Sequence, residues 1–412
     1  MEDTKTFKAG DEEGSLMNEY SVLLQFLEEN GAGEFKDYVL SSSDTSFVDN
    51  HLISLDISRL ELGDLPESSF DSFPHLQKLN LKLNHIENLP PKIFQALKQL
   101  QTVILDHNEL EELPASLFSE NQSLQHLSLR SNELRQIEPS HVDGLHQLQY
   151  LDLTNNRLRD LEEMLFAETP NLTWLDLSRN YLQYLGENIF SPLSRLQVLD
   201  LQINQITRLA RDQFHKQTAV RALYLQHNQL EALPPGIFEH NTALMALYLN
   251  YNKLEALDAT VFANLAHLRE LDLEYNSIDQ LPATIFRQLH QLERLYLAGN
   301  RLSELKSDLL KGLRQLQHLH LKHNFFQSLP ADIFEHTLNL EEILLNHNQL
   351  THLPLSLAKL PVLRRLTIDH NQLPKVFAKQ QAEHQYITRI QKILLHGPLD
   401  LDHTPEPQKN PP

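Results

Sequence analysis

One arrangement of apolar and polar positions, LxxLxLxxNxLxxLPxxxFxxLxx, returns every 24 residues from Leu52 to about Leu373. Its leading leucine falls at Leu76, Leu100, Leu124, Leu148, Leu172 and Leu196 without a slip. After Val220 the count runs through Leu244, Leu268, Leu292, Leu316 and Leu340, then shortens by one residue to reach Leu363, so that about fourteen units fit. A fixed period of this length marks a stacked array in which each unit buries its apolar face only against its neighbours. The segment LxxLxL alternates, which predicts a short strand with leucines turned inward and the intervening side chains turned out. Successive strands then pair as a parallel sheet.

Two further columns follow from the same register. Asparagine recurs nine residues into the unit, at Asn84, Asn108, Asn132, Asn156, Asn180, Asn204, Asn228, Asn252, Asn276, Asn300, Asn324, Asn348 and Asn371. A buried amide is costly unless hydrogen-bonded, so these side chains are expected to form a ladder on backbone groups left open where each strand turns. Phe70, Phe94, Phe118, Phe166, Phe190, Phe214, Phe238, Phe262, Phe286 and Phe334, with Val142 and Leu310 in the same slot, predict an aromatic spine on the opposite side. Proline at Pro66, Pro90, Pro114, Pro234, Pro282, Pro330 and Pro354 suits an irregular return path better than a long helix. A return this compact predicts a moderately curved body.

Stretches such as LDLTNNRLRDLEEMLF and LYLQHNQLEALPPGIF closely resemble the typical 24-residue class of leucine-rich repeats, and the resemblance covers about 80% of the chain. It implies an α/β solenoid: a right-handed horseshoe with a parallel sheet on the concave face and short irregular or 3-10 segments on the convex face. It also implies recognition of a protein or other ligand, and no catalysis. In animals this class is common in receptors of the Toll-like and proteoglycan type, usually flanked by cysteine-rich caps, and bacteria use it in surface and host-directed proteins. This chain has no cysteine with which to build such caps.

Outside the repeats the pattern changes. Residues 1–17 read as a disordered acidic leader, and residues 18–51 as an N-terminal cap with a short apolar helical face stopped at Gly31 and Gly33. The solenoid occupies 52–373, opening on a degenerate unit with Leu60 in the asparagine slot. Helical spacing over 374–396 predicts a C-terminal capping helix, and the proline-rich stretch 397–412 reads as a disordered tail. Caps are expected because the end units would otherwise leave an apolar face in water.

Composition narrows the function. The 412 residues carry a formal charge of −20, which disfavours a nucleic-acid partner and favours a protein with a basic patch. Twelve of the acidic residues lie in the first fifty positions, against three lysines there. No apolar run is long enough for membrane insertion, and the acidic N-terminus is unlike a signal peptide. Together with the absence of cysteine, these features predict a cytoplasmic protein or one delivered into a host cell, with secretion by a non-classical route as the alternative. No phosphate-loop motif occurs, no thiol nucleophile is available, and the acidic and histidine residues follow the repeat period, so neither an enzyme, a cofactor nor a metal site is assigned. The sequons at Asn121 and Asn171 are expected to stay unmodified. The oligomeric state is not encoded.

The outward slots of the strands supply the candidate binding residues. The central slot reads Asp152, Asp176, Asp200, Tyr224, Tyr248, Asp272 and Tyr296 in successive units. Carboxylates stacked at the roughly 4.8 Å spacing of parallel strands repel one another, and a basic partner would relieve that strain; ordinary hydrated aspartates are the competing reading. Tyr150 and Trp174 lie one slot earlier, and Tyr251 and Tyr275 at the turn end of the strand. Aromatic residues of this kind are enriched at binding hot spots, which makes repeats five to eleven the expected partner-binding patch. His318, His320, His323, His347 and His370 cluster later and form a candidate pH-sensitive patch, set against ordinary polar surface.

Overall fold

The computed structural model describes residues 18–378 and 383–396; the expected leader at 1–17 and tail at 397–412 lie outside them. Helix α1 (Glu19–Glu29) starts at Asn18, whose side chain accepts the Ser21 N–H at 2.9 Å and so satisfies one of the open donors of the first turn. Leu23, Phe26 and Leu27 face the core. Gly31 follows at φ +74°, a conformation that costs glycine little. A second short helix, α2 (Lys36–Ser41), leads to strand β1 (Ser46–Val48), which pairs antiparallel with β2 (His51–Asp56).

From β2 onward every neighbour is parallel. The 15-stranded sheet runs in chain order through β3 (Lys78–Asn80) and β4 (Thr102–Ile104) to β15 (Arg365–Thr367). Equivalent slots lie side by side: Leu55 opposite Leu79, Leu151 opposite Leu175, Asp176 opposite Asp200. That register turns each periodic feature of the sequence into a straight column.

The asparagine column joins the units. The Asn156 amide donates to the carbonyls of Leu129 and Leu153, both at 3.0 Å, and its oxygen accepts the Leu134 N–H at 3.1 Å. One side chain thus closes its own turn and ties it to the preceding unit. The same amide-to-carbonyl pattern runs from Asn84 to Asn371. In every unit the residue before the asparagine slot is left-handed, from Arg59 at φ 61°, ahead of Leu60, through Ile203 at φ 52° and Tyr251 at φ 53° to His370 at φ 54°. Its N–H is thereby aimed along the array: that of Tyr251 donates to the Glu274 carbonyl at 2.9 Å.

The phenylalanine column stacks on the far side, with Phe190, Phe214, Phe238, Phe262 and Phe286 at successive centroid separations of 6.3, 6.2, 6.5 and 6.4 Å. Phe26 of α1 packs at 5.8 Å on Phe70, so the cap extends the spine. Adjacent strands need only about 4.8 Å. A longer step on the phenylalanine side than on the sheet side bends the body, with the sheet lining the concave wall.

A second polar ladder crosses the convex interior. Fully buried Asn121 donates to the Phe94 carbonyl at 3.0 Å and the Leu97 carbonyl at 2.8 Å, and Asn241 repeats this on Phe214 and Gln217 at 2.9 and 3.0 Å. The Asn121 sequon is therefore enclosed in the fold, whereas Asn171 sits at the surface, bonded to the His146 carbonyl at 2.7 Å. At the far end α3 (Glu383–His396) buries Tyr386, Ile387 and Ile390, and Gln391 donates to the Leu360 carbonyl at 3.0 Å. Among the described residues no helix is long and apolar enough to cross a membrane.

Candidate binding surface on the concave wall

Strand geometry alone presents this surface. Because leucines occupy the inward positions, the intervening third and fifth positions of each unit face the concave wall, and the left-handed eighth position places its side chain along the rim. The structure brings Tyr150, Asp152, Trp174, Asp176, Asp200, Tyr224, Tyr248, Asp272 and Tyr296 onto adjacent strands of one face.

The aspartates are less open than their positions imply. Asp152 and Asp200 are only 5% and 7% exposed. Each carboxylate folds over its own strand end: the Thr154 N–H donates to Asp152 at 2.8 Å, and those of Ser178, Gln202 and Glu274 donate to Asp176, Asp200 and Asp272 at 2.9 Å. Asn80 accepts the Lys82 N–H at 3.1 Å in the same way. The slot therefore has a backbone-capping role that accounts for Asp or Asn there. Burial pushes Asp200 up to about 6, with the neighbouring Asp176 charge adding to it, and pushes Asp272 up to about 7. Asp176 is raised as well, chiefly by burial. Mutual repulsion, expected as the source of strain, is thus secondary to loss of water.

Aromatic rings run beside this ridge in stacks. His126, Tyr150 and Trp174 form one, with centroids 4.1 and 5.9 Å apart. His126, absent from the residues expected of this patch, completes the stack; its position in the same slot one unit before Tyr150 is the signal the sequence carries. Tyr224 and Tyr248 lie 4.9 Å apart and within 4° of parallel. The Tyr150 hydroxyl donates to Asp152 at 3.4 Å, and burial together with the Asp152 charge raises it to about 12. Trp174 remains 37% exposed and Tyr251 43%.

On the rim His227, Tyr251 and Tyr275 stack at 4.4 and 4.5 Å. Gly299 occupies the next position, where a Cβ would stand 2.5 Å from the Tyr275 ring; the absence of a side chain lets that ring lie flat. The column resumes with His323, His347 and His370 at 4.3 and 4.1 Å. Burial and the adjacent His347 lower the His323 imidazole.

His318 and His320 share a face of one strand, as their spacing predicts, but His320 belongs to a different cluster from the rim histidines. Its Nδ1 lies 3.2 Å from Glu274 and its Nε2 2.7 Å from Glu342. A neutral imidazole has one donor, so both contacts are hydrogen bonds to carboxylates only when the ring is cationic. Burial raises the Glu342 carboxyl, yet hydrogen bonds from His320 and Arg365 outweigh it and hold that group below its usual value. His318, half-buried, sits in register between Arg294 and Glu342.

Comparison with known proteins matches this architecture. Segments 50–110, 98–158, 170–230, 218–278, 266–326 and 314–373 fit the family model described as leucine rich repeat. A leucine-rich-repeat protein of Leptospira interrogans is 32% identical, with a TM-score of 0.73, covering 84% of this chain and 83% of its own. Toll, in its Drosophila complex with Spatzle, is 25% identical with a TM-score of 0.68 over 75% of this chain and 42% of that one. TLR13 in complex with ssRNA13 is 26% identical with a TM-score of 0.67 over 77% and 50%. This chain therefore spans half or less of the two receptors. No curated protein sequence matches it. The asparagine and phenylalanine columns, the parallel sheet and these matches together make the chain a member of the leucine-rich-repeat family.

Proposed function

We propose that this protein is a non-catalytic scaffold that holds a protein partner bearing a basic patch against the concave wall of repeats five to eleven. The observation that supports this most is the ridge of buried Asp200 and half-buried Asp176 and Asp272, raised by loss of water and flanked by the partly exposed Trp174. A cation from a partner offsets the cost of charging those groups, and rigid aromatic rings supply contact area at little conformational cost. Family membership supports the coarser reading, since leucine-rich-repeat proteins generally serve as binding scaffolds. The charge of −20 argues against an RNA ligand such as the one bound to TLR13.

We place the protein in the cytoplasm or, as a bacterial effector, inside a host cell. Likeness to Toll in complex with Spatzle supports a second reading, extracellular adhesion or immune-type recognition after export by another route. Chemical crosslinking in native cells, followed by mass spectrometry, tests the proposal. Crosslinks from a basic partner are expected beside the Tyr150–Tyr296 strands and should be depleted when Asp176, Asp200 and Asp272 are replaced by Asn. Crosslinks confined to the convex side, or unaffected by the substitutions, contradict it. Recovery from the cell surface or medium favours the second reading.

A further inference from the structure

Away from the concave patch, the N-terminal cap meets the first two repeats at a cluster that the repeat pattern does not require. Glu19 opens α1, His51 opens β2, and His75 stands 24 residues later, in the equivalent position before β3. The Glu19 Oε1 lies 3.0 Å from His51 Nδ1 and 3.7 Å from His75 Nδ1. The other Glu19 oxygen accepts the backbone N–H of Leu52, which fixes the carboxylate. The two imidazole centroids lie 3.9 Å apart, with the ring planes tilted by 39°.

Hydrogen bonding leaves this arrangement unsatisfied. Nδ1 of His75 is shut off from solvent and has no hydrogen-bond partner, although it points at the carboxylate. A hydrogen on that nitrogen would still leave it 3.7 Å from Glu19, beyond hydrogen-bond distance. A metal ion satisfies all three groups together. Tetrahedral zinc with ligands at about 2.0–2.1 Å separates its donor atoms by about 3.4 Å, a value that lies between the two distances observed. All three ligand atoms already lie within 4.8 Å of one another.

We infer that Glu19, His51 and His75 form a divalent transition-metal site of the zinc class that staples the N-terminal cap to the first two repeats. Two imidazole nitrogens and one carboxylate select zinc, cobalt, nickel or copper over calcium or magnesium, and the fourth position is left to water. The ligands come from α1 and from the positions that open β2 and precede β3, so binding is coupled to docking of α1. The other histidine–carboxylate group, His347, Asp369 and His370, is more open and contains no enclosed unpartnered atom, so no site is inferred there.

The test uses the full-length protein stripped with a chelator and carrying His347→Ala and His370→Ala, so that the exposed group cannot compete. Zinc chloride is titrated by calorimetry and its effect on the thermal midpoint recorded; cobalt is titrated in parallel by visible absorption. One zinc per chain at micromolar or tighter affinity, a rise in the midpoint, and a tetrahedral cobalt spectrum are expected. Glu19→Gln keeps an oxygen acceptor for the Leu52 N–H while weakening the metal ligand, and His75→Ala removes one donor. Each should weaken binding at least tenfold. No binding at 100 μM free zinc (about 0.1 mM, well above the range of built protein sites), or undiminished binding in a folded Glu19→Gln protein, overturns the inference.

Discussion

Asp200 grips Gln202 twice: the Gln202 N–H donates to Oδ1 at 2.9 Å and the Gln202 side-chain amide to Oδ2 at 2.7 Å. The carboxylate is thus a structural cap and a candidate contact for a basic partner at once. The two roles separate by substitution. Asp200→Asn keeps an oxygen for the backbone N–H, as Asn80 already provides for Lys82, and removes only the charge. Asp200→Lys leaves that N–H unpaired and should cost about 1–3 kcal/mol. Urea unfolding at pH 7.5 should show the Lys variant destabilised and the Asn variant no less stable than the parent; equal losses would remove the capping role.

The same groups set the pH dependence of stability. Folding raises Asp200 to about 6 and Asp272 to about 7, so between the ordinary carboxyl value and those values the folded chain binds more protons than the unfolded one. Stability therefore falls as pH rises through that interval. Glu342, held below its usual value, acts in the opposite sense: its contribution is present above the unfolded value and lost as pH falls through the folded one. The urea midpoint should be higher near pH 5.5 than at pH 7.5, about the window those two shifts define. The double variant Asp200→Asn, Asp272→Asn should flatten the profile.

Asn228 joins the Leu201 and Leu225 carbonyls at 2.9 and 3.1 Å and accepts the Ile206 N–H at 3.0 Å. Asn228→Leu leaves the Ile206 N–H buried without a partner and takes one of two amide donors from each carbonyl, which keep Asn204 and Asn252, at a cost of about 1–3 kcal/mol. Native-state hydrogen exchange should show the loss concentrated in the units around residue 228, because stability in such an array passes between neighbours.

Ile203 is a β-branched residue at φ 52° in the rim column, where other units use Asn155 or Gly299. Left-handed backbone costs a residue of this type about 1–2 kcal/mol. Ile203→Asn should raise unfolding stability by about 1 kcal/mol, measured in urea. A loss of stability would show that the half-buried Ile203 side chain contributes more by packing than its backbone conformation costs.

The columns were legible because each depends on one residue type recurring at one slot. Asn156 and Phe190 could be placed from their spacing alone, as could the adjacency of Asp176 and Asp200. Two kinds of relationship were not legible. The bond that the Thr154 N–H donates to Asp152 comes from a backbone group, so the aspartates at that slot did not by themselves distinguish a cap from a partner contact. Glu19 reaches His51 across 32 residues from outside the repeats, so no period points to it. Stacking of His126 on Tyr150 was readable in principle, since the two share a slot in adjacent units.

Trp174 is the sole tryptophan in the chain, and it stands beside Tyr150 and next to the aspartate ridge, on the second strand of the proposed contact. Its fluorescence therefore reports on that wall alone, provided the partner recovered by crosslinking contributes no tryptophan signal. On binding, the emission should shift to shorter wavelength and acrylamide quenching should fall severalfold, with both effects weakened when Asp176, Asp200 and Asp272 are replaced by Asn. A saturated complex in which Trp174 keeps its free emission and its full quenching would contradict binding on the concave wall.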